Sequence, residues 1–221
     1  MSVLPWHVQG FDFILTPERA LWWEAEQTLF IADPHFGKAA TYRALGQPVP
    51  EGTTAGNLVA LDRALARFAA RRLVVLGDFM HARQAHQPAL LAALQAWRVR
   101  HPRVDCVLVR GNHDNRAGDP PAGLNFLVVD EPWLIAGLAC CHVPPESLAA
   151  GARYALAGHV HPVAVVHGRG RDRLRLPCFD LGPQVGILPA FGAFTGGWVV
   201  PNVPGHTHAM IAGDVVLART Y

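Results

Sequence analysis

Hydrophobic residues in this chain come in short runs, and most runs stop at a small cluster of polar ones. Near the start, Phe11–Leu15, residues 20–23 and residues 29–32 are apolar, with turn chemistry at Thr16-Pro17-Glu18-Arg19, so paired strands are predicted. Two later stretches change period. Leu58, Leu61, Leu65 and Phe68 recur at helical spacing after Thr53 and Thr54, either of which can cap a helix. Leu90, Leu91, Leu94 and Trp97 mark a second helix over about residues 88–98. Residues 73–76 and 104–109 are continuous apolar runs, suited to strands buried on both faces. Strands alternating with helices make an α/β pattern. From Trp133 onward strands take over, at 134–141, 154–157, 163–167, 210–212 and 215–218. The expected architecture is two packed sheets with helices outside and polar loops along one rim.

Composition narrows the class further. With 221 residues, 51% hydrophobic and 16% charged, the chain can bury one sizeable core, so residues 1–221 are read as one domain. Its first residues hold no signal-like apolar core and no run reaches transmembrane length, which predicts a soluble cytoplasmic protein with no membrane partner. Cys106, Cys140, Cys141 and Cys178 show no C-x-x-C spacing and are expected as reduced core thiols. A net charge of +2 permits contact with a polyanion without arguing for it. Trp6, Trp22 and Trp23 are expected at the surface, where they hint at a homodimer interface.

The chemistry lies in the polar clusters: Asp33-Pro34-His35, Gly77-Asp78, Gly111-Asn112-His113-Asp114, His142 and Gly158-His159-Val160-His161. Together they suggest a site for two divalent ions. Such ions, about 3.5–4 Å apart, need a bridging carboxylate, and Asp78 is the candidate. Asp33 with His35, and His159 with His161, stand two residues apart and can each present both side chains to one side. Asn112 offers a neutral carbonyl oxygen and His142 a further nitrogen, a mixed shell that suits Mn, Fe, Zn or Ni better than Ca or Mg. Gly205-His206-Thr207-His208 repeats the Gly-His-x-His form but lacks a preceding strand, so it is expected as a surface turn. His7, His81, His86, His101 and His167 are expected to be structural or exposed, with His81 close enough to Asp78 to touch substrate.

In that order, these clusters resemble the signature of the calcineurin-like metallophosphoesterases, from about Leu29 to Pro162. The resemblance implies a four-layer α-β-β-α sandwich of two mixed sheets. It implies one ion on Asp33, His35, Asp78 and His161 and the other on Asp78, Asn112, His142 and His159. It makes His113 catalytic, with Asp114 orienting its imidazole. A narrower likeness rests on residues 33–40, the loop 46–52, and the segments 169–179 and 188–197. These resemble the ligase-associated DNA damage response endonucleases of the PdeM type. That implies a manganese-dependent phosphodiesterase cutting single-stranded DNA, encoded beside a DNA ligase, a helicase and an exonuclease.

Lys38, Arg43, Arg83 and Arg116 follow the metal-site motifs and are candidates for direct phosphate contact. Arg169, Arg171, Arg173 and Arg175 alternate, so on a strand they would share one face and could track a phosphate backbone. The row Arg63, Arg67, Arg71 is read as a solvated helix face. The alternative function is a phosphodiesterase or phosphatase of small molecules or nucleotides with the same site. A non-catalytic scaffold conflicts with the complete ligand set.

Overall fold

Two mixed β-sheets stack face to face in the computed structural model, which describes residues 2–49, 52–85, 87–168, 170 and 172–221. Across the first sheet lie β1 (Leu4–Val8), β2 (Phe11–Leu15), β3 (Leu21–Trp23), β4 (Thr28–Ala32), β5 (Arg72–Leu76), β6 (Asp105–Val109) and β7 (Phe126–Val129), in that order. The first four form an antiparallel meander, and β4 to β7 run parallel. Parallel neighbours need crossovers. These contain α1 (Lys38–Ala44), α2 (Thr53–Phe68), α3 (Pro88–Arg100) and the single turn α4 (Asp114–Ala117).

The second sheet contains β8 (Trp133–Ile135), β9 (Leu138–Cys140), β10 (Tyr154–Ala157), β11 (Pro162–His167), β12 (Arg173–Leu181), β13 (Val185–Ile187), β14 (Trp198–Val199), β15 (Thr207–Ala212) and β16 (Val215–Thr220). Its order is β14-β11-β12-β13-β10-β9-β8, with β15 also paired to β12 and β16 beyond it. The long β12 joins the sheet's two halves, pairing with β11 through its first part and with β13 and β15 through its last.

Three packed zones follow from the alternation of side chains on each strand. Between the sheets lie Phe11, Phe13, Trp23, Phe30, Leu76, Tyr154 and Phe179. Between the first sheet and the helices lie Leu61, Leu65, Leu73, Val75, Leu94 and Trp97. Outside the second sheet, Ala139, Cys141, Ala155 and Ala157 are covered by Leu148 and Ala152 from an irregular stretch instead of a long helix. The α/β sandwich of two mixed sheets thus stands, with its helices gathered on the first sheet.

Several local expectations shift. The α2 helix starts at Thr53, but its cap is Gly52 in a left-handed conformation, with no side-chain hydrogen bond from either threonine. The apolar run 134–141 splits into β8 and β9 because Ala136 and Gly137 both take positive φ. Strand β1 was not anticipated, since Pro5 interrupts its pattern, yet a sheet edge tolerates proline. Trp22 and Trp23 are buried, stacked on Phe68 and packed edge-on against Phe11 respectively, so they form no interface. The four cysteines are buried and free. No helix among the described residues is long and apolar enough to cross a membrane.

Phe30 is fully buried between the sheets, whereas Leu127 is 58% exposed. Phe30→Ala is therefore expected to cost about 3–5 kcal/mol in urea unfolding and Leu127→Ala under about 0.5 kcal/mol. Equal midpoints for the two variants would contradict this placement of the core.

Candidate metal centre

All five polar clusters meet at one rim. Asp33 follows β4, Asp78 follows β5, and Asn112 follows β6, while His142 follows β9 and His159 and His161 follow β10. Parallel strands bring their carboxyl ends to the same edge, which is why residues so distant in sequence converge. The loops then lace together: His35 N–H donates to the Asp78 carbonyl at 3.0 Å and Phe36 N–H to the Phe79 carbonyl at 2.9 Å. Asp33, His35, Asp78, His159 and His161 all have φ between 43° and 67°, so five of the seven candidate ligands sit in left-handed backbone. Such strain, on the order of 1 kcal/mol per residue, persists where a site demands a particular aim.

Glycines permit the close approach. A Cβ on Gly77 would lie 2.0 Å from His142 Nδ1, one on Gly111 2.4 Å from Asp78 Oδ1, and one on Gly158 2.6 Å from Asp33 Oδ2. The carboxylates are buried, and Asp33 Oδ2 accepts from His159 N–H at 2.8 Å while Asp78 Oδ1 accepts from His113 N–H at 2.9 Å.

The ring nitrogens and carboxylates face one another at distances longer than hydrogen bonds. Asp78 Oδ2 lies 3.5 Å from His35 Nε2 and its Oδ1 3.5 Å from His142 Nε2, so its two oxygens look toward different partners. His161 Nε2 is 3.6 Å from Asp33 Oδ2. His142 Nδ1 is 3.2 Å from the Leu76 carbonyl, a contact that directs Nε2 inward. That Nε2 has Asn112 Oδ1 at 2.8 Å and His159 Nδ1 at 3.1 Å. Burial pushes the His35 imidazole down to about 2, with Lys38 and neighbouring imidazoles adding to it, so one ring nitrogen keeps a free lone pair at neutral pH.

Does this set fit divalent ions? Asp33 Oδ1, His35 Nδ1 and His161 Nε2 are buried without a hydrogen-bond partner among the described residues, and buried orphan atoms call for an explanation. Asp33, His35 and His161 form one group able to share a cation, and Asp33, Asp78 and His142 form another. Two buried carboxylates amid converging imidazole nitrogens are a donor set that fits.

The expected roles of the neighbouring residues divide. Among the described residues Asp114 makes no hydrogen bond to the His113 ring. Its Oδ1 accepts from Phe79 N–H at 2.9 Å and its Oδ2 from Gly111 N–H at 2.9 Å, so it ties two site loops together. Burial, reinforced by Asp78 and opposed by these amides, raises its carboxyl to about 6. The His113 imidazole is aimed instead by the His81 carbonyl, 2.9 Å from Nδ1, and its Nε2 lies 3.9 Å from Asp78. His81 lies beside these groups. Its ring stacks on His113 with centroids 5.4 Å apart, and His35, His81 and His113 form a third group of converging nitrogens. This agrees with the expectation drawn from its place three residues after Asp78.

Lys38 lies beside His35 and donates to the Thr195 carbonyl at 3.1 Å, and burial lowers its ammonium against the pull of Asp78 and Asp33. Arg83 Nε donates to the Arg116 carbonyl at 2.9 Å, which joins those two candidates. Arg43 lines a separate groove with Thr53, Gln87 and Arg100. Arg173 and Arg175 are exposed on β12, while Arg169, Arg171, His86 and part of the loop 46–52 lie outside the described residues. His7 pairs with Asp12, His101 with Asp62 and Arg67 with Glu18, as structural or solvated readings require. His208 is not on a surface turn. It is fully buried on β15, with His206 2.8 Å from Asp180, and both are apart from the metal-type groups.

A sequence profile of the calcineurin-like phosphoesterases matches residues 27–178. The chain belongs to that family. Membership makes it a phosphoesterase, and the gathered carboxylates and imidazoles make it a metal-dependent one. Among solved structures, the chain is similar to the Pseudomonas putida nuclease MPE, at 44% identity and a TM-score of 0.84 over 98% of this chain and all of that one. It also aligns with Yfce, a phosphoesterase from E. coli, at 22% identity and a TM-score of 0.38 over 86% of this chain and 90% of the other. No curated protein matches the chain.

Gly77→Ala should displace His142 while leaving the strands intact, because the added methyl would overlap the ring. We expect affinity for a divalent probe ion to fall roughly tenfold or more by titration calorimetry, with unchanged far-ultraviolet circular dichroism. Undiminished affinity would contradict the close approach.

Proposed function

We propose that the chain is a binuclear, manganese-dependent phosphodiesterase that cuts single-stranded DNA internally, in the service of DNA repair. Its likeness along 98% of its length to a protein described as a nuclease carries this reading beyond general ester hydrolysis. On this reading Asp33, His35, Asp78 and His161 hold one ion, and Asp78, Asn112, His142 and His159 the other. The two oxygens of Asp78, facing His35 and His142 respectively, support its place as the bridge. When bound, two such ions would neutralise phosphate oxygens and lower the pKa of an adjacent water.

The chain's own residues have separable tasks. Asp114 holds the Gly111 and Phe79 amides, fixing the loop that carries Asn112 and His113. The His81 carbonyl accepts from His113 Nδ1–H, leaving Nε2 on the side of Asp78. The His113 side chain is 36% exposed, enough to reach a substrate entering from solvent. As an imidazolium it can donate the Nε2 proton to the departing alkoxide while Nδ1–H stays on the carbonyl. On this reading Lys38 beside His35, and Arg83 with Arg116, would meet phosphate oxygens, and Arg43 a longer strand. The repair setting, the cytoplasmic location, the single domain and companionship with a DNA ligase, a helicase and an exonuclease belong to the same reading and rest on the sequence resemblance.

Metal-stripped protein given manganese is expected to open circular single-stranded DNA, and an Asp78→Ala variant is not. Hydrolysis of a small diester without cutting of the circle would favour the small-molecule alternative. His113→Ala should lose about 10²- to 10⁴-fold in rate on DNA, and far less on a diester with a p-nitrophenyl leaving group that needs no proton. Equal losses on both substrates would remove the acid role.

A further inference from the structure

Five of the six tryptophans serve the interior: Trp22, Trp23 and Trp97 are buried, and Trp6 and Trp133 pack half-buried against the core between the sheets. Trp198 is 73% exposed, the most exposed of the large hydrophobic residues described. It lies on the two-residue edge strand β14, whose only described sheet neighbour is β11. Its position is tied to the candidate metal centre, because Trp198 N–H donates to the carbonyl of His161 at 3.0 Å. Its indole is thus a flat apolar face open to solvent beside the candidate metal centre.

The surroundings indicate what that face would meet. Register pairs Trp198 with Pro162, Val199 with Val163, and Arg175 with Val165, so Trp198 and Arg175 lie on opposite sides of the strand pair. The exposed Arg175 donates through Nη2 to the Gly197 carbonyl at 2.9 Å, which places a guanidinium just across the backbone from the indole. Arg173 follows two residues away on the same side as Arg175. An apolar plane on one side of an edge and cations on the other suit a polymer whose repeating unit points a flat base one way and an anionic phosphate the other.

Resting on the nuclease reading, we propose that Trp198 is a stacking platform for an unpaired nucleobase of the DNA strand next to the scissile phosphate, with Arg175 and Arg173 on its phosphates. A base inside a duplex is already stacked on both faces, so such a platform selects single strands without reading sequence. Trp198 is then a specificity residue, holding the strand so that its phosphate reaches the site beside His161.

The test compares wild type, Trp198→Ala and Trp198→Phe, all loaded with manganese, on three substrates. These are a single-stranded oligonucleotide, the same oligonucleotide with abasic sites flanking the cleavage point, and bis(p-nitrophenyl) phosphate. The proposal expects Trp198→Ala to raise KM on the base-bearing strand about tenfold or more, Trp198→Phe to recover most of that, and the abasic strand to show little difference between variants. Equal KM values on the base-bearing strand would overturn it. So would an equal loss on the abasic strand or the small diester, which would mark a structural role through His161. A change in sedimentation of Trp198→Ala would also overturn it, by marking Trp198 as an interface between copies. Failure of the nuclease reading is separately visible, since wild type would then hydrolyse the small diester and leave both strands uncut.

Discussion

Two buried carboxylates, Asp33 and Asp78, set the terms for the rest of this structure. They stand at the ends of adjacent parallel strands and face several imidazoles at distances near 3.5 Å, too long to be satisfied by hydrogen bonds. Buried negative charge in such surroundings is costly unless a cation shares it. A pair of divalent ions answers that requirement. The orphaned Asp33 Oδ1 and His161 Nε2 point to the same answer.

Strain is the second cost. Left-handed φ at five of the candidate ligands would drift away if the loops were free. They are held because the loops are cross-tied, by Asp114 to Gly111 and Phe79, by Asp33 to His159, and by Glu131 to the amides of His142 and Val143. Behind them, the aromatic core between the sheets and the helix-backed first sheet make the strand ends a rigid platform. Strand packing thus supplies the stability, and the loops spend some of it on geometry.

The rim beyond the ligands is built differently. Lys38 and His81 are partly withdrawn from water, and Trp198 projects into it. That gradient suits the proposed reaction on a nucleic-acid strand. Close to phosphorus the charges must be held still, and on the proposed polymeric substrate a broad contact suffices farther along the strand.

Much of the site was legible in the sequence because ligand chemistry tolerates few residue types and strand ends advertise themselves. Asp33, His35, Asp78, Asn112, His142, His159 and His161 each follow an apolar run, and the structure brings all seven together. The central strands β5 and β6 and the helices α2 and α3 were likewise written in periodicity, which reflects local burial. Other features depend on partners distant in sequence, and no local pattern encodes those. Only the tertiary structure turned Asp114 toward backbone amides and gave the His113 ring to the His81 carbonyl. It buried Trp22, Trp23 and His208 and left Trp198 in solvent. A tryptophan's burial is decided by whether another strand or helix happens to cover it. A side chain's hydrogen-bond partner is decided by which loop the sheet order brings alongside.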